Sequence, residues 1–500
     1  MSADRSLSSA RALTGARDGA AGWVVGAYAG RITVVTIAGL AARLALLAYQ
    51  PLWRDEAFTA VAVSRPIGQM LDAVRADSAP PLAYVVEHVV ASVWTGAAGL
   101  RLFPALAGAA AIPIGAALGR RIAGDRGGVV SAIVCAIAPA LVLTSVDARM
   151  YAIATTLVMA STLVLWRATE QPSAARWFVY GLITALALYT DYFAVLAIPA
   201  QLVATRFVLR ASWRTTMFAT VAATIAAVAL IPWLVAATAQ LTHAGQSFWV
   251  PQVGVNSVGG AFLQFFTGPP LDPWVPLHTL LTTLKGLACA AGLVAVFALI
   301  LRRYALGPAG RQAAIFCATC GLGAVLLLFP LSIWHPLVDG RYAGVVWGPL
   351  FPLVAAGLAV LPIRALFAAC TATLAACTLA LSLATTHPPT PSVITWLDQH
   401  VQASDLVDDY PSQYLLFLYY APPRLLSRTL VVQQSVAWFW GTAAYPPGAV
   451  SATIPESVVA SRGAVYYVRQ VDEPDPLLPP NYTARSTMCW TGVCVVRYAP

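Results

Sequence analysis

The stretch Pro51-Leu-Trp-Arg-Asp-Glu-Ala-Phe-Thr59 follows directly on the first long apolar run, residues 32–49. It sets three consecutive charges, Arg54, Asp55 and Glu56, in a chain where only 10% of residues are charged. They fall where a membrane helix would surface. Ionisable groups at that depth are costly unless solvated or paired, so they mark a functional site by default. A plain polar cap at a helix end would read the same way in isolation. What separates the two readings is the set of other polar residues that the topology brings to the same face.

Outward from this stretch, the composition bounds the class. The chain has 500 residues, 59% of them hydrophobic, and a mean hydropathy of +0.72. Soluble globular proteins do not have this composition, and the apolar runs are long enough to span a bilayer. The sequence therefore predicts an α-helical polytopic membrane protein. The net charge of +9 rests almost wholly on arginine, with Lys285 the only lysine. The positive charge is spread over short loops, which makes it a topology signal and not a nucleic-acid footprint.

Residues 1–31 read as a cytoplasmic tail and residues 32–385 as the transmembrane domain. With the N-terminus inside, the first helix emerges into a large outer loop, residues 50–100. That loop holds the Arg-Asp-Glu stretch, an amphipathic helix near 66–76, and an apolar run at 80–95. The run at 80–95 carries Glu87 and His88 and is short for a span, so it reads as interfacial. The parity of the arginines requires the same: Arg120 and Arg121 fall inside only if 80–95 does not cross. Continuing in this way places Arg167, Arg206, Arg210, Arg302, Arg303 and Arg364 inside, and the acidic and aromatic motifs outside. The count is about eleven spans, N-in and C-out.

Residues 386–500 are less apolar and richer in Asp, Pro and Ser. Val393–Val401 reads as a helix, and Leu415–Tyr420, Thr429–Val432 and Ala464–Arg469 read as strands. Together they make a small α/β domain on the extracytoplasmic side. Cys489 and Cys494 lie in this polar tail, where an oxidising compartment favours a disulfide between them. The remaining cysteines lie in apolar runs and read as reduced core residues.

On the outer face the topology gathers Asp55, Asp77 and Asp147 with Arg54, Arg149, Arg341 and His335. Carboxylates there suit a general base or a divalent metal ion. Arginines suit a phosphate through forked hydrogen bonds. Trp53-Arg-Asp-Glu56, then Pro80-Pro81-Leu82 and Tyr84, Asp147-Ala-Arg-Met-Tyr151, Tyr189-Thr-Asp-Tyr-Phe193 and Gly340-Arg-Tyr342 resemble, in order and spacing, the bacterial GT-C glycosyltransferases. That superfamily includes the protein O-mannosyltransferase-like group, the rhizobial lipopolysaccharide glycosyltransferases and the lipid A aminoarabinose transferases.

The resemblance implies a hexosyl- or pentosyltransferase of the cytoplasmic membrane, active on its extracytoplasmic face. The donor is a polyprenyl-phosphate sugar and the acceptor an envelope glycan, glycolipid or protein. By the same resemblance Asp55 is the acid–base residue, and Glu56, Asp77, Asp147 and His335 are acceptor or metal ligands. Arg54, Arg149, Tyr151, Arg341 and Tyr342 hold the donor phosphate. Ala79 stands where the family often has His or Lys, which removes one metal or phosphate ligand. Direct displacement inverts the anomeric centre. The sequence shows no Asp-x-Asp or glycine-rich phosphate loop, so no nucleotide cofactor is expected. An oligosaccharide polymerase or ligase and a lipid-linked sugar flippase are the competing classes. The first would centre on a large late outer loop, the second on charges at mid-membrane.

Overall fold

The structure is a computed structural model and describes residues 26–240, 242, 250, 252–470 and 473–500. Most of the expected tail 1–31, and Phe248 and Trp249 of the outer loop 238–275, lie outside the described residues.

Helix α1, Gly26–Leu46, is followed by three short helices, α2 (Arg54–Val63), α3 (Ile67–Ala76) and α4 (Leu82–Ala91). Helices α3 and α4 coincide with the expected amphipathic helix near 66–76 and the apolar run 80–95, whereas α2 was not read as a helix. Next come α5 (Ala97–Ile137), α6 (Pro139–Ser145), α7 (Tyr151–Glu170) and α8 (Ala174–Thr190). Among the described residues, seven helices are long and apolar enough to cross a membrane. They are α1, α5, α7, Trp213–Ala236, His278–Leu301, Arg303–Leu331 and Arg364–Leu383. The pair Gly340–Val346 and Gly348–Ala359, bent by 69°, makes an eighth. The other three expected spans coincide with the second part of α5 plus α6, with α8, and with the apolar segment Tyr192–Val208. Helix α5 is 41 residues long, about twice what a bilayer needs. It breaks at Ala123-Gly124, where Gly124 takes φ +63° beside Arg120, Arg121 and Asp125.

Two buried arginines fasten this frame. Pro139 has no N–H, so the Cys135 carbonyl loses its helical donor. Arg43 of α1 replaces it, donating to Cys135 O at 3.2 Å and to Ser145 Oγ at 2.8 Å. Arg101 of α5 donates to the carbonyls of Leu47, Gln50 and Pro51. It thereby fixes the turn that leads into α2.

The C-terminal domain is a six-stranded sheet of order β3-β2-β1-β4-β6-β5. Its strands are β1 Leu406–Asp409, β2 Thr429–Val432, β3 Val450–Ser451, β4 Val465–Gln470, β5 Thr483–Trp490 and β6 Val493–Ala499. The first four run parallel, and β6 is antiparallel to both β4 and β5. Cys489 and Cys494 pair across the β5–β6 hairpin as a disulfide. The expected strand at Leu415–Tyr420 is instead the end of helix Pro411–Tyr420. A short apolar run fits either state. Pro411 at the helix start and burial on both sides decide for the helix, because Leu415 and Leu416 pack into the membrane-domain core while Phe417 packs under the sheet.

Candidate active site

Successive helical residues diverge by about 100°, so the neighbours Asp55 and Glu56 face different surroundings. Glu56 points inward. Its oxygens accept from Arg101 Nε and Nη2, both at 2.5 Å, from the Ala148 N–H at 2.9 Å and from the Trp53 N–H at 3.2 Å. Burial would raise this carboxyl, but Arg101 holds it below the usual range. Glu56 therefore locks α2 to α5 and to the loop before α7. It is turned away from the position expected of an acceptor or metal ligand.

Asp55 points into a cavity of about 820 Å³. Arg54, Asp77, Arg149, Tyr151, Arg341 and Tyr342 line the same cavity. Two arginines take opposite oxygens of the Asp55 carboxylate: Arg54 Nε donates to Oδ1 at 2.9 Å and Arg341 Nη1 to Oδ2 at 3.2 Å. Burial pushes this group up, yet Arg54, Arg341 and Arg149 bring it down to about 2. Arg149 donates to the Asp55 carbonyl at 3.3 Å and to the Tyr84 hydroxyl at 3.1 Å, while its buried Nε has no hydrogen-bond partner. Asp77 ends α3, accepts from the Ser78 hydroxyl at 3.2 Å, and is raised by burial against the pull of Arg149. Tyr342 stacks on Phe193 with ring centroids 4.2 Å apart. The lining also includes the apolar side chains Val195, Leu230, Leu234 and Leu337.

Besides Glu56, two further expected ligands do not line the cavity. Asp147 accepts from the Trp53 indole N–H at 3.0 Å, and burial together with Glu56 raises its carboxyl to about 7. His335 is exposed and is not part of the cavity lining. The cavity also holds residues that were not expected there. Asp191 lies inside the quoted Tyr189–Phe193 motif. It caps the 3-10 helix Tyr192–Leu196 through the Phe193 N–H at 2.8 Å, and burial raises it to about 7. The motif itself was the signal for Asp191. Trp438, Phe439, Trp440 and Gly441 reach the cavity from the C-terminal domain, and no local pattern marked them. Among the described residues, no group of three or more His, Cys, Asp or Glu is placed to hold a metal ion.

Residues 77–235 match the family model described as Dolichyl-phosphate-mannose-protein mannosyltransferase. No curated protein sequence matches the chain. Two similar solved structures are of ArnT from Cupriavidus metallidurans. The apo form shares 13% identity at a TM-score of 0.57, over 96% of this chain and 98% of that one. The form bound to undecaprenyl phosphate shares 12% identity at a TM-score of 0.56, over 94% and 98%. This end-to-end likeness gives the chain the fold seen in ArnT, and the family match lies inside it.

Proposed function

We propose that the protein transfers a sugar from a polyprenyl-phosphate donor to a cell-envelope acceptor, with inversion, at the outer face of the cytoplasmic membrane. The observation that carries this reading is the mixed lining of the cavity, in which Arg54, Arg149 and Arg341 surround Asp55 and Val195, Leu230 and Leu234 add an apolar surface. The arginines suit a phosphate, and the apolar surface suits a prenyl chain. That surface continues past Val195 into an apolar trough of about 340 Å³ between Tyr192–Val208 and Trp213–Ala236. The ArnT structure with bound undecaprenyl phosphate supports the same class of donor.

The chemistry follows from the charges. The acceptor hydroxyl oxygen attacks the anomeric carbon, the bond from that carbon to the phosphate oxygen breaks, and the acceptor proton passes to Asp55. Polyprenyl phosphate leaves with its charge matched by Arg149 and Arg341. A carboxylate held at about 2 is a weak base. The donor phosphate competes for the same arginines, loosens their hold on Asp55, and so raises its basicity when the donor is in place. A divalent cation fits this donor set poorly, because the described residues offer no three-ligand group.

The test is transfer from labelled polyprenyl-phosphate mannose and polyprenyl-phosphate arabinose to a membrane glycolipid extract by the purified protein. Donor-dependent labelling of the extract is expected. If neither donor is consumed but lipid-linked sugar crosses the bilayer in liposomes, the flippase reading replaces this one.

A further inference from the structure

The C-terminal domain contributes part of the cavity wall, and we infer that its aromatic strip Trp438-Phe439-Trp440 is the seat of a carbohydrate acceptor. The inference rests on the transferase reading above and names the substrate class on its second side.

The argument begins with the two oxygens of Asp55. Arg341 takes Oδ2, next to Tyr342 and Phe193, which are stacked on each other. Phe193, Val195, Leu230 and Leu234 line the apolar wall on that side. This is the half that suits a lipid phosphate. Arg54 takes Oδ1, and its guanidinium carbon lies 4.7 Å from the centroid of the Trp440 ring. In a direct displacement the nucleophile and the leaving group lie on opposite sides of the anomeric carbon. The donor phosphate occupies the Arg341 half, so the attacking hydroxyl comes from the Arg54–Trp440 half.

That half is aromatic and firmly seated. All three rings are half-buried, so each keeps an open face or edge. Tyr410 packs edge-on against Trp440, with centroids 6.1 Å apart at 80°. Gly441 follows at φ +74°, in the left-handed region, and a side chain there would lie 2.7 Å from Leu415 Cδ1 and 2.9 Å from Phe58 Cδ2. Only glycine brings the strip this close to α2. Arg65, just beyond the end of α2, donates to the Ala444 carbonyl, which ties down the segment beyond.

A flat aromatic surface beside a carboxylate and a guanidinium matches a sugar ring. The apolar C–H face rests on the rings of the strip, and the hydroxyls at its edge meet Asp55 and the Arg54 guanidinium that lies over Trp440. An extended peptide acceptor would need backbone hydrogen-bonding partners along its length, which this strip of rings does not supply.

The test compares full-length wild type, Trp440→Ala and Trp440→Phe in nanodiscs. Two readouts are taken: transfer kinetics with each labelled donor and a glycolipid extract, and equilibrium binding of mannotriose and arabinotriose. Trp440→Ala should raise the acceptor KM about tenfold and weaken trisaccharide binding to a similar degree, leaving the donor KM in place. Trp440→Phe should restore most of both. Equal rises in donor and acceptor KM, or an unchanged acceptor KM, would overturn the inference. If wild type transfers nothing yet binds a trisaccharide through Trp440, the transferase reading fails and the carbohydrate seat stands.

Discussion

Replacing Asp55 by Asn separates catalysis from stability and from donor binding. The carboxyl sits at about 2, against an ordinary 3.8, because its arginine neighbours favour the charged form. That gap corresponds to about 2 kcal/mol in favour of the folded state. The group's value is depressed on folding, so this stability is present above pH 3.8 and is lost as pH falls through about 2. At pH 7 it is fully present, and Asp55→Asn forfeits at most about 2 kcal/mol, since the side chain is 17% exposed. Asn accepts hydrogen bonds through one oxygen but takes up no proton. Turnover should therefore fall by about 10²–10⁴-fold. Binding should move the other way. Asp55 competes with the donor phosphate for Arg341, and a like charge at about 4 Å costs about 1 kcal/mol even at the dielectric of water. Polyprenyl phosphate should bind Asp55→Asn about fivefold more tightly. The assay pairs sugar transfer with titration of polyprenyl phosphate, alongside thermal unfolding in the same detergent. Turnover within tenfold of wild type would refute Asp55 as the base. Weaker phosphate binding would refute the competition argument.

Glu56→Gln leaves Arg101 charged and buried without its counter-ion and should cost about 3–5 kcal/mol, read as a sharp loss of folded protein on size-exclusion chromatography. The double variant Glu56→Met with Arg101→Met should recover part of that loss, because no unpaired charge remains. Asp147, raised to about 7, contributes stability at low pH that disappears as pH rises through 7. Melting temperature should thus fall between pH 5 and pH 8 in wild type. Asp147→Asn keeps the Trp53 hydrogen bond and should flatten that profile; an unchanged slope would assign it to another group.

The helical membrane architecture was legible in the chain because it rests on local quantities. Apolar run length is read one segment at a time, and α1, α3, α4, α7 and α8 fall on expected helices, while α5 joins two expected spans and α2 was not read as a helix. The disulfide was legible for the same reason: two cysteines five residues apart in a polar tail have few alternatives. The gathering of Asp55, Asp77, Arg149 and Arg341 into one cavity followed from sidedness alone. Which groups face that cavity did not. Asp55 and Glu56 are chemically near-equivalent neighbours, and only Arg101, forty-five residues away, makes one the structural anchor and leaves the other at the cavity. Asp147, read onto the same face as Asp55, is spent on Trp53, and Asp191 lines the cavity in its stead. The misread strand at Leu415–Tyr420 has the same origin, since burial on both sides erased the periodicity that would have marked a helix. The sequence by itself determined that this chain enters the membrane and where its charges surface, because those are properties of single segments in a given solvent. The tertiary structure decided which charges are consumed in holding the frame, and that aromatic residues from the far end of the chain close the cavity, because pairing energies depend on distances that no local pattern encodes.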